Sequence, residues 1–226
     1  MIELTFTRRY ATRVTPTENV RACASMFGIG VSEDIELTLY EDLPVRLGPG
    51  RVVFITGDSG AGKSSLLRDV MTKVKARPDM RLLEAGEFDP KLPIVDQFGS
   101  WPIGRIGELL AYVGISEAFV YLRRPTELSD GQRYRFQLAC MIYKALTAPT
   151  ADTLQVVCID EFLAFLDRET ARNVAYQVRR AATVHKLCFV LATTHQDIVR
   201  DLQPNTTITM RLALPPDLAH NPLAGR

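Results

Sequence analysis

The chain has 226 residues, enough for one large domain with a sizeable core. Hydrophobic residues make up 46% and charged residues 23%, an ordinary globular balance, and a net charge of +1 creates no field that demands nucleic acid or an anionic surface. No apolar run is long enough to span a bilayer, residues 1–10 lack a signal-peptide core, and Cys23, Cys140, Cys158 and Cys188 form no C-x-x-C pair, so a cytoplasmic chain without zinc or disulfides is expected.

Ile2, Leu4 and Phe6 alternate with polar residues, which predicts an edge strand over 1–14. Thr15-Pro16-Thr17-Glu18 reads as a helix start, and the helix runs to Phe27 before Gly28-Ile29-Gly30. Residues 35–40 alternate as a strand, with 43–47 as its neighbour, and Gly48-Pro49-Gly50 turns into the next strand, 51–56. These antiparallel strands predict a β cover ahead of the first parallel strand. A helix over 65–76 carries Leu66, Leu67, Val70, Met71 and Val74 on one face. Residues 80–88 form a strand, 103–124 two short helices split at Gly114, and 133–146 a helix that Pro149 ends. Strands at 154–159 and 187–192 are continuously apolar and separated by an amphipathic helix over 168–182. A short helix over 196–202 and a last strand over 206–212 precede a proline-rich tail, 215–226, expected to be flexible. Apolar strands alternating with helices indicate an α/β fold: a mostly parallel sheet flanked by helices, one domain over 1–214, with its ligands at the strand carboxyl ends.

Gly57-Asp58-Ser59-Gly60-Ala61-Gly62-Lys63-Ser64 fits G-x-x-x-x-G-K-[ST] between a buried strand and a helix, the context in which that pattern cradles phosphates. The loop's N–H groups and the helix N-terminus, entered at Ser65, would surround the anion. Lys63 would reach the β- and γ-phosphates and Ser64 would ligate Mg²⁺. At the end of the 154–159 strand, Asp160 can hold the Mg²⁺ shell and Glu161 can take a proton from an attacking water. His195 follows a buried strand and Gln97 lies in a loop; the first suits a γ-phosphate, the second the metal or the water. Ser129-Asp130-Gly131 makes a second anion-binding helix start, or an ordinary N-cap.

In this order the motifs resemble those of the ATP-binding cassette (ABC) ATPases, over residues 35–200. The phosphate loop is 57–64, the glutamine loop resembles Gln97, and Leu128-Ser129-Asp130-Gly131-Gln132 is similar to the signature sequence, with Asp130 where many members have Gly. Asp160 and Glu161 match the second nucleotide motif and catalytic glutamate, Ala164-Phe165-Leu166-Asp167 the D-loop, and His195 the switch histidine. The resemblance implies a P-loop NTPase of the ABC type that hydrolyses ATP with Mg²⁺. It also implies a head-to-tail homodimer in which Ser129 and Gly131 of one copy meet the γ-phosphate held by the other. Three departures stand out. Phe162-Leu163 replaces the usual Pro-Thr; only 31 positions separate residues 97 and 128, so the helical subdomain, 98–127, is reduced; and neither Tyr40 nor Phe27 sits where the adenine-stacking aromatic belongs, leaving ATP or GTP open.

The reduced segment favours a stand-alone cassette, an ATP-driven dimer switch on a protein or nucleic-acid partner rather than a transporter. An acetyltransferase acting in trans is one such partner, by resemblance to fused members of that branch. Arg105, Arg123, Arg124, Arg133, Arg135, Arg179 and Arg180 offer basic surface for nucleic acid. The alternatives are the ATPase subunit of a membrane transporter, which needs a docking groove built by 98–127, and a nucleotide-dependent binding module with little hydrolysis.

Overall fold

A computed structural model describes residues 1–13, 15–28, 30, 34–84, 88–147, 153–212, 214–221 and 224. Strands β1 (Ile2–Arg13) and β2 (Asp34–Leu47) pair as an antiparallel hairpin, with helix α1 (Glu18–Met26), capped by the Thr17 side chain, between them. The expected pair of strands at 35–40 and 43–47 is thus a single strand whose neighbour is β1. A register shift between Phe6 and Arg9 absorbs the irregularity near Asp42, where φ is +46°.

The main sheet contains β3 (Val52–Gly57), β4 (Met80–Leu83), β5 (Leu154–Ile159), β6 (Cys188–Ala192), β7 (Thr206–Arg211) and β8 (Leu214–His220), in the order β4-β5-β6-β3-β7-β8. All neighbours are parallel except β7 and β8. The segment expected to be a loose tail from 215 therefore pairs, through residue 220, with β7. The expected strand over 80–88 is shorter, ending at Leu83, and residues 85–87 lie outside those described, as do Ile29 and Pro149.

The central strands are covered on both faces, which is why they read as unbroken apolar runs. Phe54, Val157, Ile159, Phe189 and Leu191 face helices α3 (Ile103–Tyr112), α5 (Asp130–Thr147) and α6 (Arg168–His185). Val53, Ile55, Val156 and Val190 face α2 (Lys63–Lys75) and the hairpin. Each such side chain taken from water contributes about 1.5–3 kcal/mol. Cys188, opposite Val156, and Cys158, opposite Val190, belong to this packing as small hydrophobes, and burial pushes the Cys188 thiol up to about 11.

Residues 94–97 form a single 3₁₀ turn, and α4 (Ala118–Tyr121) follows α3 after Gly114, as the sequence predicts. A last short helix, α7 (Val199–Leu202), leads into β7. The carboxyl ends of β3, β5 and β6 are adjacent and form one edge of the sheet.

Candidate functional site

Gly57 closes β3 with φ +124°, and a Cβ there would lie 1.9 Å from the Met210 carbonyl oxygen of β7. Only glycine lets the two backbones come this close. Gly62 caps α2 in the left-handed region, φ +95°, so the helix starts directly on the loop with its free N–H groups aimed into the turn. Lys63 folds back across the loop. Its ammonium donates to the carbonyl oxygens of Gly57 at 2.9 Å and Asp58 at 2.6 Å. Burial lowers its pKa, against the opposing pull of Asp58 and Asp160.

A cavity of about 440 Å³ opens at this edge, and Ser59, Lys63, Ser64, Ser65, Asp160, Glu161, Thr193 and Thr194 line it. Three strand ends converge there: Gly57 of β3, Asp160 after β5, and Thr193 after β6. Glu161 is held at φ +49° and Leu163 at φ +62°, both left-handed. The backbone keeps these conformations because the residues between are anchored. The Phe162 N–H donates to the Ala192 carbonyl at 2.8 Å, and the Leu163 N–H donates to the Tyr134 hydroxyl at 3.0 Å. Phe162 and Leu163 are both fully buried. The replacement of Pro-Thr at these positions thus serves as an apolar plug that fixes Glu161 at the cavity mouth. Ser64 and Asp160 present oxygen to the cavity, the donor type a hard divalent cation takes.

Other sequence candidates lie elsewhere. Gln97 is turned into its own loop: its amide donates to the carbonyls of Asp89 at 2.8 Å and Leu92 at 3.0 Å, and its oxygen accepts from the Asp89 N–H at 3.0 Å. With both ends of the amide satisfied and no place in the cavity lining, Gln97 is not a metal or water ligand in this structure. His195 also points away. Its Nδ1 lies 2.9 Å from the Arg168 guanidinium, which also pairs with Asp197 at 3.0 Å. Its neighbours Thr193 and Thr194 reach the cavity instead.

Asp167 caps α6 by accepting from the Thr170 N–H at 3.0 Å, and that bond holds its carboxyl below the usual range. Ser129 and Gln132 form a reciprocal cap on α5: the Gln132 N–H donates to Ser129 Oγ at 3.3 Å, and the Ser129 N–H donates to Gln132 Oε1 at 3.1 Å. Gln132 is therefore occupied, while Ser129 and Asp130 face outward. Gly131 touches residues 165–166, where a Cβ would meet Leu166 at 3.2 Å.

Two residues escaped the sequence reading. Tyr10 of β1 sets its hydroxyl 3.4 Å from Ser65 Oγ with the ring 40% exposed. Asp69 of α2 anchors that strand, accepting from Arg8 Nε at 2.8 Å and from the Tyr40 hydroxyl at 2.6 Å. Tyr40 is buried in this contact, so it is no surface for a base. The aromatic in the alternation of β1 was the available signal, but 53 positions separate Tyr10 from Lys63 and only the hairpin brings them together.

The arginines do not form one basic face. Arg179 is buried, donating to Asn205 Oδ1 at 3.0 Å and to the Gly50 carbonyl, and Arg133 and Arg135 donate to backbone carbonyls. Among the described residues there is no cluster of metal-binding side chains, and no helix is long and apolar enough to cross a membrane.

No family model matches the chain. A methionine import ATP-binding protein, MetN, of Xanthomonas axonopodis pv. citri is 28% identical over 204 residues, covering 73% of this chain and 56% of that protein. A hemin import ATP-binding protein, HmuV, of Hydrogenovibrio crunogenus is 27% identical over 184 residues, 68% of this chain and 70% of that one. The chain thus spans little more than half the length of the methionine import relatives it matches. Among solved structures, a dimeric ATP-binding cassette in a post-hydrolysis state with ADP and phosphate superposes with a TM-score of 0.60 at 14% identity, covering 93% of this chain and 94% of that one. An inward-facing ABC transporter of metal-chelate type gives 0.55 at 18% identity, covering 81% and 77%. The curated relatives are import proteins, and this overturns the expectation of a non-transporter switch acting on a protein or nucleic-acid partner.

Proposed function

We propose that this chain, which belongs to the ABC ATPase superfamily, is the ATP-hydrolysing subunit of a membrane transporter. The observation that carries the reading is the convergence of the phosphate loop, Asp160 and Glu161 on one cavity at the ends of β3 and β5. On binding ATP, Lys63 would leave the carbonyls of Gly57 and Asp58 for the β- and γ-phosphates, an exchange that returns its buried charge to a partner. Ser64 and Asp160 are the residues that would hold Mg²⁺, which supplies charge neutralisation on the phosphates. Glu161, fixed at the mouth by the buried Phe162 and Leu163, would orient the attacking water and accept its proton, a role worth about 10²–10⁴-fold. Tyr10 would lie against the base.

Two copies complete the reaction. Ser129 is exposed at the start of α5, and its hydroxyl, which accepts from the Gln132 N–H, would donate to a phosphate held by a second copy in a head-to-tail homodimer. ATP closes this pair and hydrolysis releases it. Docking on the membrane protein falls to the reduced helical segment. Ile103, Phe119 and Leu122 are exposed there by 66%, 58% and 73%, and Ile94, just ahead of the segment, ties to its far end by donating its N–H to the Arg123 carbonyl at 2.8 Å.

The test has two readouts. Purified Glu161→Gln should elute as a dimer with ATP and as a monomer without it. In its own cells the chain should sediment with membranes, and the triple variant Ile103→Asp, Phe119→Asp, Leu122→Asp should move to the soluble fraction while still dimerising in the Glu161→Gln background. A chain found wholly in the soluble fraction would refute the transporter reading and leave the ATPase intact.

A further inference from the structure

Helices α3, α5 and α6 enclose a second cavity of about 510 Å³ that shares no residue with the phosphate site. Its apolar lining includes Leu109 and Ile142, and the rings of Trp101 and Tyr112 add flat surface. Glu108 is the one acid in the lining, against Arg105, Arg180 and His185. Burial and the nearby Arg105 lower the His185 pKa, so the positive field there comes from the two arginines.

Neither guanidinium hydrogen-bonds or ion-pairs with any described residue. Each lies over an aromatic ring instead, Arg105 at 3.7 Å from the Trp101 ring centroid and Arg180 at 5.8 Å from that of Tyr112. A guanidinium stacked on a ring keeps its in-plane N–H fork free for a carboxylate. Two polar atoms of the lining, the Tyr112 hydroxyl and Gln177 Oε1, are buried without a partner. Such groups cost free energy until something bonds them. Arg180 is exposed and covers Tyr112, so a swing of one flexible side chain opens the hydroxyl.

We propose that this cavity binds a small organic anion with a flat apolar body, of the aryl-carboxylate class. The body lies over Leu109 and Ile142 beside the Tyr112 ring, and the carboxylate is taken by Arg180 and by Arg105 stacked on Trp101. The site uses none of the residues that line the phosphate cavity and stands independently of any role in transport.

Trp101 is the single tryptophan of the chain, so its emission reports the site directly. The full chain is titrated with 4-methylbenzoate and, in parallel, with the neutral isostere 4-methylbenzamide. The benzoate should produce a saturable change, and Arg105→Gln and Arg180→Gln should each raise its half-saturation at least about tenfold. The amide should give no saturable change. Arg105→Lys, which keeps the charge and stem but not the fork, should fall between wild type and Arg105→Gln, and serves if the glutamine variant misfolds. No saturation by about 10 mM benzoate, an equal response to the amide, or indifference to both arginine substitutions would each overturn the assignment.

Discussion

Tyr10 and Ser65 meet across the molecule, the hydroxyl of one 3.4 Å from that of the other, although they belong to a hairpin and to the first turn of the phosphate-loop helix. The contact places a half-exposed aromatic ring beside the cavity, where the buried Tyr40 cannot serve. Tyr10→Ala should raise the KM for ATP about tenfold, the scale of one lost base–aromatic stack, with kcat little changed. Tyr10→Phe should keep most of the affinity. Equal losses in both variants would mean that the hydroxyl matters more than the ring.

Lys63 donates to two backbone carbonyls, those of Gly57 and Asp58. Lys63→Ala should weaken ATP binding by about 10- to 100-fold, as expected for a charge-assisted contact, and calorimetric titration reads it directly. The same variant should also loosen the loop before nucleotide arrives, visible as faster amide exchange at 58–62.

Gly57 and Gly60 separate two reasons for glycine. A Cβ at Gly57 collides with the Met210 carbonyl, so Gly57→Ala should cost more than about 3 kcal/mol and lower Tm sharply. At Gly60, φ is +77° but nothing lies within 4 Å of a Cβ, so Gly60→Ala should cost only the backbone strain, about 1–2 kcal/mol. Thermal unfolding of the two variants distinguishes collision from strain.

Asp69 links α2 to the hairpin. Burial alone would raise its pKa, but the bonds from Arg8 and Tyr40 outweigh it and hold the carboxyl below the ordinary range. A group depressed in the fold contributes its full stability above its unfolded pKa of about 3.9 and loses it as pH falls through the lower folded value. Wild type should therefore lose stability below about pH 4 more steeply than Asp69→Asn, whose melts should be lower at pH 7 by about 2 kcal/mol and flatter in acid. Parallel pH profiles would remove Asp69 from the explanation.

Gln97 braces the 89–97 loop with three hydrogen bonds and touches no part of the cavity. Gln97→Ala should abolish amide protection at Asp89 and leave the ATP affinity of the isolated chain within about twofold. A large loss of affinity would show that the loop swings toward the phosphates once nucleotide binds.

The apolar strands and the phosphate loop were legible because each is a local pattern. A strand buried on both faces reads as an almost unbroken apolar run, broken here only by the buried Thr56 of β3 and Gln155 of β5, and the spacing of Gly57, Gly62 and Lys63 is set by the loop itself. Asp160 and Glu161 were legible for the same reason, being the first polar residues after β5. What failed was orientation. His195 and Gln97 occupy the expected positions in the chain, but their side chains answer to Arg168 and to the carbonyls of 89 and 92, partners that no spacing rule contains. Tyr10 was missed because its neighbour in space is far away in sequence. The pairing of β8 was missed because Pro215 and Pro216 argue against a ladder, and an edge strand tolerates them where a central one would not.

Those two prolines bear on more than the pairing of β8. They remove backbone donors from the outermost rim of the sheet, and the opposite rim, β4, is only four residues long. A foreign strand arriving at either margin finds too few hydrogen-bonding sites to add itself. Replacing both prolines by valine would offer a longer template, and the consequence would be seen as concentration-dependent polymerisation rather than as a change in turnover.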